Sequence, residues 1–373
     1  MRATDNLLLR CLREPSLCER LSAVEWDLLI RQARAANLLA ELNLRLQREG
    51  LIDSAPPPAR PHLDAASKLV TRQRIAIRWE VECIRQALQG RSPQLAVLKG
   101  AAYLLRELPH AQSRIFTDVD ILVPRAYIDE VESALLIAGW QPQELDAYNQ
   151  RYYRRWMHEI PPLTHIRRGT SIDVHHAILP GTARLRVNTA ALFEQLQPLA
   201  EFPGVSTLGD IDMLLHSATH LFHEGEFDNG LRDLFDLDAM LQLFGQRPGF
   251  WDELLPRAQQ LGLVLPLFYA LRYTERLLGR HWPITLMATM AAHGPGRLTL
   301  TLMDACYERA LAPVHSSCNT IGVQAARLAL YLRSHWLRMP PTLLALHLGR
   351  KAWMRLWGLD QPAEATPDDA KPR

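Results

Sequence analysis

The apolar positions of this chain change their period twice. In residues 1–50, Leu7, Leu8, Leu9, Leu21, Trp26, Leu29, Leu38, Leu39, Leu42 and Leu46 recur with several pairs three or four apart, which predicts helices. The stretch Ser54-Ala-Pro-Pro-Pro-Ala-Arg-Pro61 interrupts that spacing and predicts a stiff linker, because proline cannot continue a helix. A long helix is expected from about 64 to 89. The period then shortens. Residues 95–98 (Leu-Ala-Val-Leu) form a short apolar run ending at Lys99-Gly100, which reads as a buried strand meeting a turn. Residues 101–108 resume helical spacing and stop at Pro109. Val119, Ile121 and Val123 alternate with Asp118, Asp120 and Leu122, the period of a strand. Residues 127–138 predict an amphipathic helix that ends at Gly139, a residue type suited to the left-handed position after a helix. Residues 140–145 read as a further strand. Residues 163–167 and 171–175 flank Arg168-Gly169-Thr170 as a hairpin. From Leu208 to about Gly358 helical spacing returns, with breaks near 245–249, 294–296 and Pro340-Pro341.

These periods divide the chain into four parts. Residues 1–60 are an N-terminal helical segment with its proline-rich linker. Residues 61–205 are a mixed core with a small sheet, 206–358 a C-terminal helical domain, and 359–373 a polar tail expected to be disordered. The fold class is therefore α+β.

Composition narrows the picture. The chain is 48% hydrophobic and 22% charged, which excludes wholesale disorder, collagen and a coiled-coil rod. A net charge of +2 excludes a chain-wide electrostatic trap for nucleic acid. The five cysteines are scattered and none forms a CxxC pair, so neither a disulfide scaffold nor a cysteine zinc site is expected, and a reducing cytoplasm fits best. The first twenty residues mix acids and arginines, without the apolar core of a signal peptide. No apolar run is long enough to predict a spanning helix. Only Lys68, Lys99, Lys351 and Lys371 are lysines among 42 basic residues, which makes the surroundings of each lysine worth locating.

The candidate chemistry starts on the alternating strand. Residues i and i+2 share a face, so Asp118 and Asp120 project together. Two carboxylates that close repel unless a cation lies between them. Mg²⁺ is the natural occupant, since it prefers oxygen ligands and is held by one or two carboxylates with phosphate oxygens; Mn²⁺ is the second choice. Asp173 lies on a later strand, and Lys99-Gly100 precedes the pair. Glycine lets backbone approach a phosphate, a turn into a helix offers free amides, and Lys99 can supply a point charge.

The ordered set Leu98-Lys99-Gly100-Ala101, Arg114, Thr117-Asp118-Val119-Asp120-Ile121-Leu122-Val123 and Ile172-Asp173-Val174-His175 resembles the nucleotidyltransferase superfamily that includes DNA polymerase beta. Within it, the chain resembles an uncharacterised bacterial group of nucleotidyltransferase-like proteins. Leu214-Leu215-His216, His220-Leu221 and Leu231-Arg232-Asp233-Leu234 extend the likeness, which covers roughly residues 95–245. It implies a nucleotidyltransferase-like core and a two-metal mechanism. Asp118 and Asp120 would bind Mg²⁺ with the triphosphate of an NTP, ATP first. Asp173 would complete the second metal site and favour ionisation of an acceptor hydroxyl. Lys99, Gly100, Arg114 and Thr117 would bind nucleotide, and pyrophosphate would leave. One departure matters: the superfamily often has Gly-Gly or Gly-Ser at the turn, whereas Ala101 follows Gly100 here.

Other residues carry weaker signals. His175 shares the face of Asp173. His216, His220 and His223 fall on one helix face, with Glu224 next, in an arrangement that suits a zinc site or a cleft wall contacting base or acceptor. Arg232 and Asp236 are spaced to pair. Between Glu308 and Asp360 lie Arg309, Arg327, Arg333, Arg338, Arg350, Lys351 and Arg355, with Trp336, Trp353 and Trp357 interleaved and no acid. That surface suits anionic lipid or nucleic acid, or a plain helical exterior. The rival readings are a non-catalytic nucleotide-binding or scaffold protein, motivated by Ala101, and a DxD glycosyltransferase, disfavoured because no doubly wound half precedes Asp118.

Overall fold

The computed structural model describes residues 6–92, 94–142, 153–154 and 156–340. Helices α1 (Leu7–Arg13), α2 (Ala23–Ala35) and α3 (Leu39–Arg48) bury the leucines that set the N-terminal period. Ser22 and Glu25 start α2 as a capping box: Ser22 Oγ accepts from the Glu25 amide at 3.4 Å, and Glu25 Oε2 accepts from the Ser22 amide at 2.8 Å. Helix α4 (Arg60–Ala87) begins four residues earlier than its apolar pattern suggests. Pro61 sits in its first turn, where a missing amide leaves no bond unmade.

Among the described residues seven short strands form one sheet: β1 (Ala96–Val97), β2 (Asp118–Leu122), β3 (Trp140–Pro142), β4 (Leu163–His165), β5 (Ser171–His175), β6 (Gln197–Pro198) and β7 (Ser206–Thr207). Their order is β3-β4-β5-β2-β1-β7-β6. The pairs β2–β5 and β1–β7 are parallel and the rest antiparallel, so the sheet is mixed. The expected hairpin is β4–β5. Residues 143–145 of the strand expected after Gly139 lie outside the described residues. Strands β6 and β7 were not legible, because two residues carry no period.

Helices α5 (Lys99–Leu105) and α6 (Ile128–Ile137) flank the sheet, and Gly139 follows α6 at φ +102°, as its position predicted. One sheet face is apolar, with Val119, Ile121, Ile172 and Val174 buried. Glu80 of α4 fixes the far edge. It is buried and accepts from Trp140 Nε1 at 3.1 Å and from Arg168 Nε at 2.7 Å, while the guanidinium lies 4.8 Å from the Trp140 ring centre.

After α7 (Thr189–Phe193) the described chain is helical from residue 210: α8 (Asp210–His223), α9 (Gly230–Phe244), α10 (Phe250–Leu261), α11 (Val264–Leu278), α12 (Ile284–His293), α13 (Arg297–Ala310) and α14 (Ile321–Arg338). The breaks at 245–249 and 294–296 are where the glycines predicted them. Buried apolar side chains form one cluster running from Leu8 to Leu330, so helices at both ends share a core with the sheet. No described helix is long and apolar enough to cross a membrane. The five cysteines are free thiols.

The basic C-terminal stretch turns inward. Arg309, Arg327, Arg333 and Arg338 donate to the carbonyls of Ala305, Ala310, Phe222 and Glu224. These four guanidiniums are half-buried and engaged by carbonyls of their own chain. Arg350, Lys351 and Arg355 lie outside the described residues.

Candidate active site

The parallel pairing of β2 and β5 sets Asp118 opposite Ser171 and Asp120 opposite Asp173. Residues paired across parallel strands point to the same side, so all three carboxylates leave the polar face of the sheet together. A cavity of about 400 Å³ opens over that face. Lys99, Gly100, Arg114, Thr117, Asp118, Asp120, Asp173, His175, His220 and Arg232 all line it. These ten residues therefore meet the same space.

Asp120 is the hub. Its Oδ1 accepts from Lys99 Nζ at 2.9 Å and faces His175 Nε2 at 3.0 Å. His175 Nδ1 lies 3.3 Å from Glu159 Oε2. Burial works against ionising Asp120, but Lys99 and then His175 hold its carboxyl far below the usual range. The same pairings raise Lys99 and His175 against the opposing effect of burial. Among the described residues Asp173 has no such partner. Burial, then the charges of Asp120 and Glu159, push its carboxyl up to about 7. Thr117 Oγ1 donates to Asp118 Oδ1 at 2.9 Å and orients it.

The donors are the hard oxygens a divalent cation takes, but the three aspartates are not drawn within 4.8 Å of one another as His158, Glu159 and His175 are. Three aspartates share one face, and among the described residues the cavity lining carries eight carboxylates against four lysine or arginine cations. Asp118, Asp120 and Asp173 are the residues that would hold the metal.

Several local expectations changed. The turn expected at Lys99-Gly100 opens directly into α5, with Lys99 its first residue at φ +46°, a conformation rare for a side chain of its kind. A Cβ on Gly100 would lie 2.1 Å from Arg114 Nη1, so this glycine makes room for the arginine. Arg114 in turn donates to Asp236 Oδ2 at 2.8 Å and lies over the rings of Tyr103 and Phe116. With Asp236 so engaged, Arg232 pairs with Asp233 at 2.8 Å, not with Asp236 four residues on.

The three helix histidines separate. His220 reaches the cavity with Nδ1 2.7 Å from Glu224 Oε2, whereas His216 and His223 are buried and do not line it. Among the described residues, the group whose ligand atoms approach within 4.8 Å of one another is His158, Glu159 and His175. Sequence reasoning passed over His158 and Glu159, which sit between strands with no periodic signal. It also did not place Arg338 at the site.

Burial holds His216 down to about 3 and His223 to about 4. In the unfolded chain a histidine protonates near 6.5. A ring neutral when folded but charged when unfolded weakens the fold as pH drops below 6.5, with the loss complete near the folded value. Each ring is expected to cost about 2 kcal/mol at pH 5. Denaturant melts should therefore decline from about pH 6.5, well above the carboxylate range. Stability unchanged down to pH 5 would contradict this, and His223→Leu should remove part of the slope.

No curated protein and no solved structure matches the chain. A family model described as an uncharacterised nucleotidyltransferase matches residues 22–279, from just before α2 to the end of α11. That span holds the whole sheet and the three aspartates, and it covers more than half of the chain. The chain belongs to this nucleotidyltransferase family.

Proposed function

We propose that the protein transfers a nucleoside monophosphate from an NTP, ATP first, to a hydroxyl-bearing acceptor with release of pyrophosphate, using Mg²⁺. The observation that carries this reading is the in-register pairing that brings Asp173 beside Asp120 on the face of Asp118. Mg²⁺ bound there supplies charge stabilisation at the attacking and leaving oxygens of an in-line displacement. The chain's own residues do the rest. Asp118 and Asp120 position the reacting phosphate. Lys99 Nζ, already within the cavity, turns from Asp120 to a phosphate oxygen. Asp173 accepts the proton of the acceptor hydroxyl as its oxygen bonds to the α-phosphorus and the bond to pyrophosphate breaks. His175 and Glu159 hold Asp120 in place. The described residues of 61–205 supply the nucleotide-binding surface and those of 206–340 the opposite wall. The five free cysteines support a reducing, cytoplasmic setting.

The test is pyrophosphate release from each of the four NTPs with Mg²⁺ or Mn²⁺ and a panel of hydroxyl acceptors. Metal-dependent release is expected, and no NTP binding at millimolar nucleotide would defeat the proposal. A second reading, a nucleotide-binding protein without turnover, is favoured by the Lys99–Asp120 pair, which neutralises a carboxylate internally. It predicts thermal stabilisation by NTP with no pyrophosphate.

A further inference from the structure

We propose that Arg338 binds the terminal phosphates of the nucleotide, delivered to the cleft by a helix that lies beyond the span matched by the family model. The inference rests on the nucleotide reading of the cleft. It concerns α14, which begins more than forty residues after that span ends.

The end of α14 is bolted to both sides of the cleft. On the sheet side, Thr182 Oγ1 donates to the Arg338 carbonyl at 2.7 Å, and the Arg184 amide donates to the Leu337 carbonyl at 2.7 Å. Arg184 Nε donates to the Trp336 carbonyl at 3.0 Å, and its guanidinium lies 4.3 Å from the Trp336 ring centre. On the helical side, Arg333 Nη1 donates to the Phe222 carbonyl at 3.0 Å, and Arg338 Nη2 donates to the Glu224 carbonyl at 2.9 Å. Gly225 makes this approach possible. It sits at φ +81°, and a Cβ there would lie 2.5 Å from Ser334 Oγ. The chain thus brings a rigid helix end to the cavity and omits the one side chain that would hold it off.

Charge then separates Arg338 from the other cations lining the cavity. Lys99 is paired with Asp120, Arg114 with Asp236 and Arg232 with Asp233. Among the described residues Arg338 has no carboxylate partner. Nη2 meets the Glu224 carbonyl and Ser334 Oγ, both neutral, and Nε is buried without an acceptor. A guanidinium held in place with donors to spare is a site for a bidentate anion, and phosphate matches its fork. The anion must enter a cleft rich in carboxylates, so it must arrive with cations, as a metal-bound triphosphate does. The aspartates occupy the sheet face, where the α-phosphate reacts. Arg338 comes from the helical wall, and so meets the part of the chain that leaves as pyrophosphate.

Calorimetric titration of the full chain with ATP and with AMP, each with Mg²⁺, tests this. Arg338→Gln is expected to weaken ATP roughly 10- to 100-fold, as loss of a charge-assisted hydrogen bond does, and to leave AMP nearly unchanged. Arg338→Lys keeps the charge without the fork and should fall between. Melts without nucleotide report any structural damage; should Arg338→Gln unfold, the ATP-to-AMP ratio of Arg338→Lys decides. Equal loss for ATP and AMP, or ATP affinity unchanged, overturns the role of Arg338. A wild-type chain that binds neither nucleotide overturns the nucleotide reading itself, so the two failures are distinct.

Discussion

Asp118→Asn and Asp120→Asn are each expected to lower transfer by at least a factor of about 10³, equivalent to roughly 4 kcal/mol of transition-state stabilisation. Asparagine keeps the shape of aspartate and removes the charge that would hold the metal against phosphate. The two variants should differ in stability. Asp118 is partly exposed and bonded to Thr117, so its loss should cost the fold little. Asp120 is buried and serves two partners, Lys99 and His175. Asp120→Asn leaves Lys99 without its counter-ion in a site that disfavours charge, at a cost of about 1–3 kcal/mol or more. Pyrophosphate assays with denaturant melts check both halves. More than a tenth of wild-type turnover in Asp118→Asn would remove the metal assignment. Equal stability of the two variants would remove the hub role of Asp120.

The features legible in the sequence were those set by local period and chain order. The alternation at 118–123 specified which side chains face the cleft, and the hairpin at 163–175 placed Asp173 on a strand. The breaks at 245–249 and 294–296 followed glycine, while the one at 311–320 carries none. What the sequence left dark depends on contacts between distant segments. Nothing near Gly100 signals that Arg114 passes over it, and helical spacing alone offered Asp236 to Arg232 when Arg114 takes it. His158 and Glu159 occupy a stretch without periodicity, yet the Glu159–His175 bridge carries them to the hub. Arg338 lies in a stretch whose basic residues read as a surface. Only the fold shows its guanidinium at the end of α8.

Arg257→Leu and Asp212→Leu are each expected to destabilise the fold by about 3–5 kcal/mol, and the double variant far less than either. Arg257 of α10 donates to Asp212 Oδ1 at 2.7 Å and Oδ2 at 2.6 Å, and to the Ala191 carbonyl at 2.8 Å. Both side chains are buried, with 6% and 2% of their surface exposed, so removing one strands the other away from water. The singles are not equivalent. A stranded aspartate escapes part of the penalty by taking up a proton, and it lies in the first turn of α8, where the helix dipole favours its charge. A stranded arginine cannot shed its proton. Asp212→Leu should therefore be the worse variant, and the deficit of Arg257→Leu relative to wild type should shrink between pH 7.5 and pH 5, while that of Asp212→Leu should not. Denaturant melts at the two pH values decide; a double variant no better than the worse single would show that the pair is held for more than charge. The pair anchors the start of α8, whose other end carries His220 to the cleft. Neither side chain lines that cavity, so the double variant should keep wild-type nucleotide affinity.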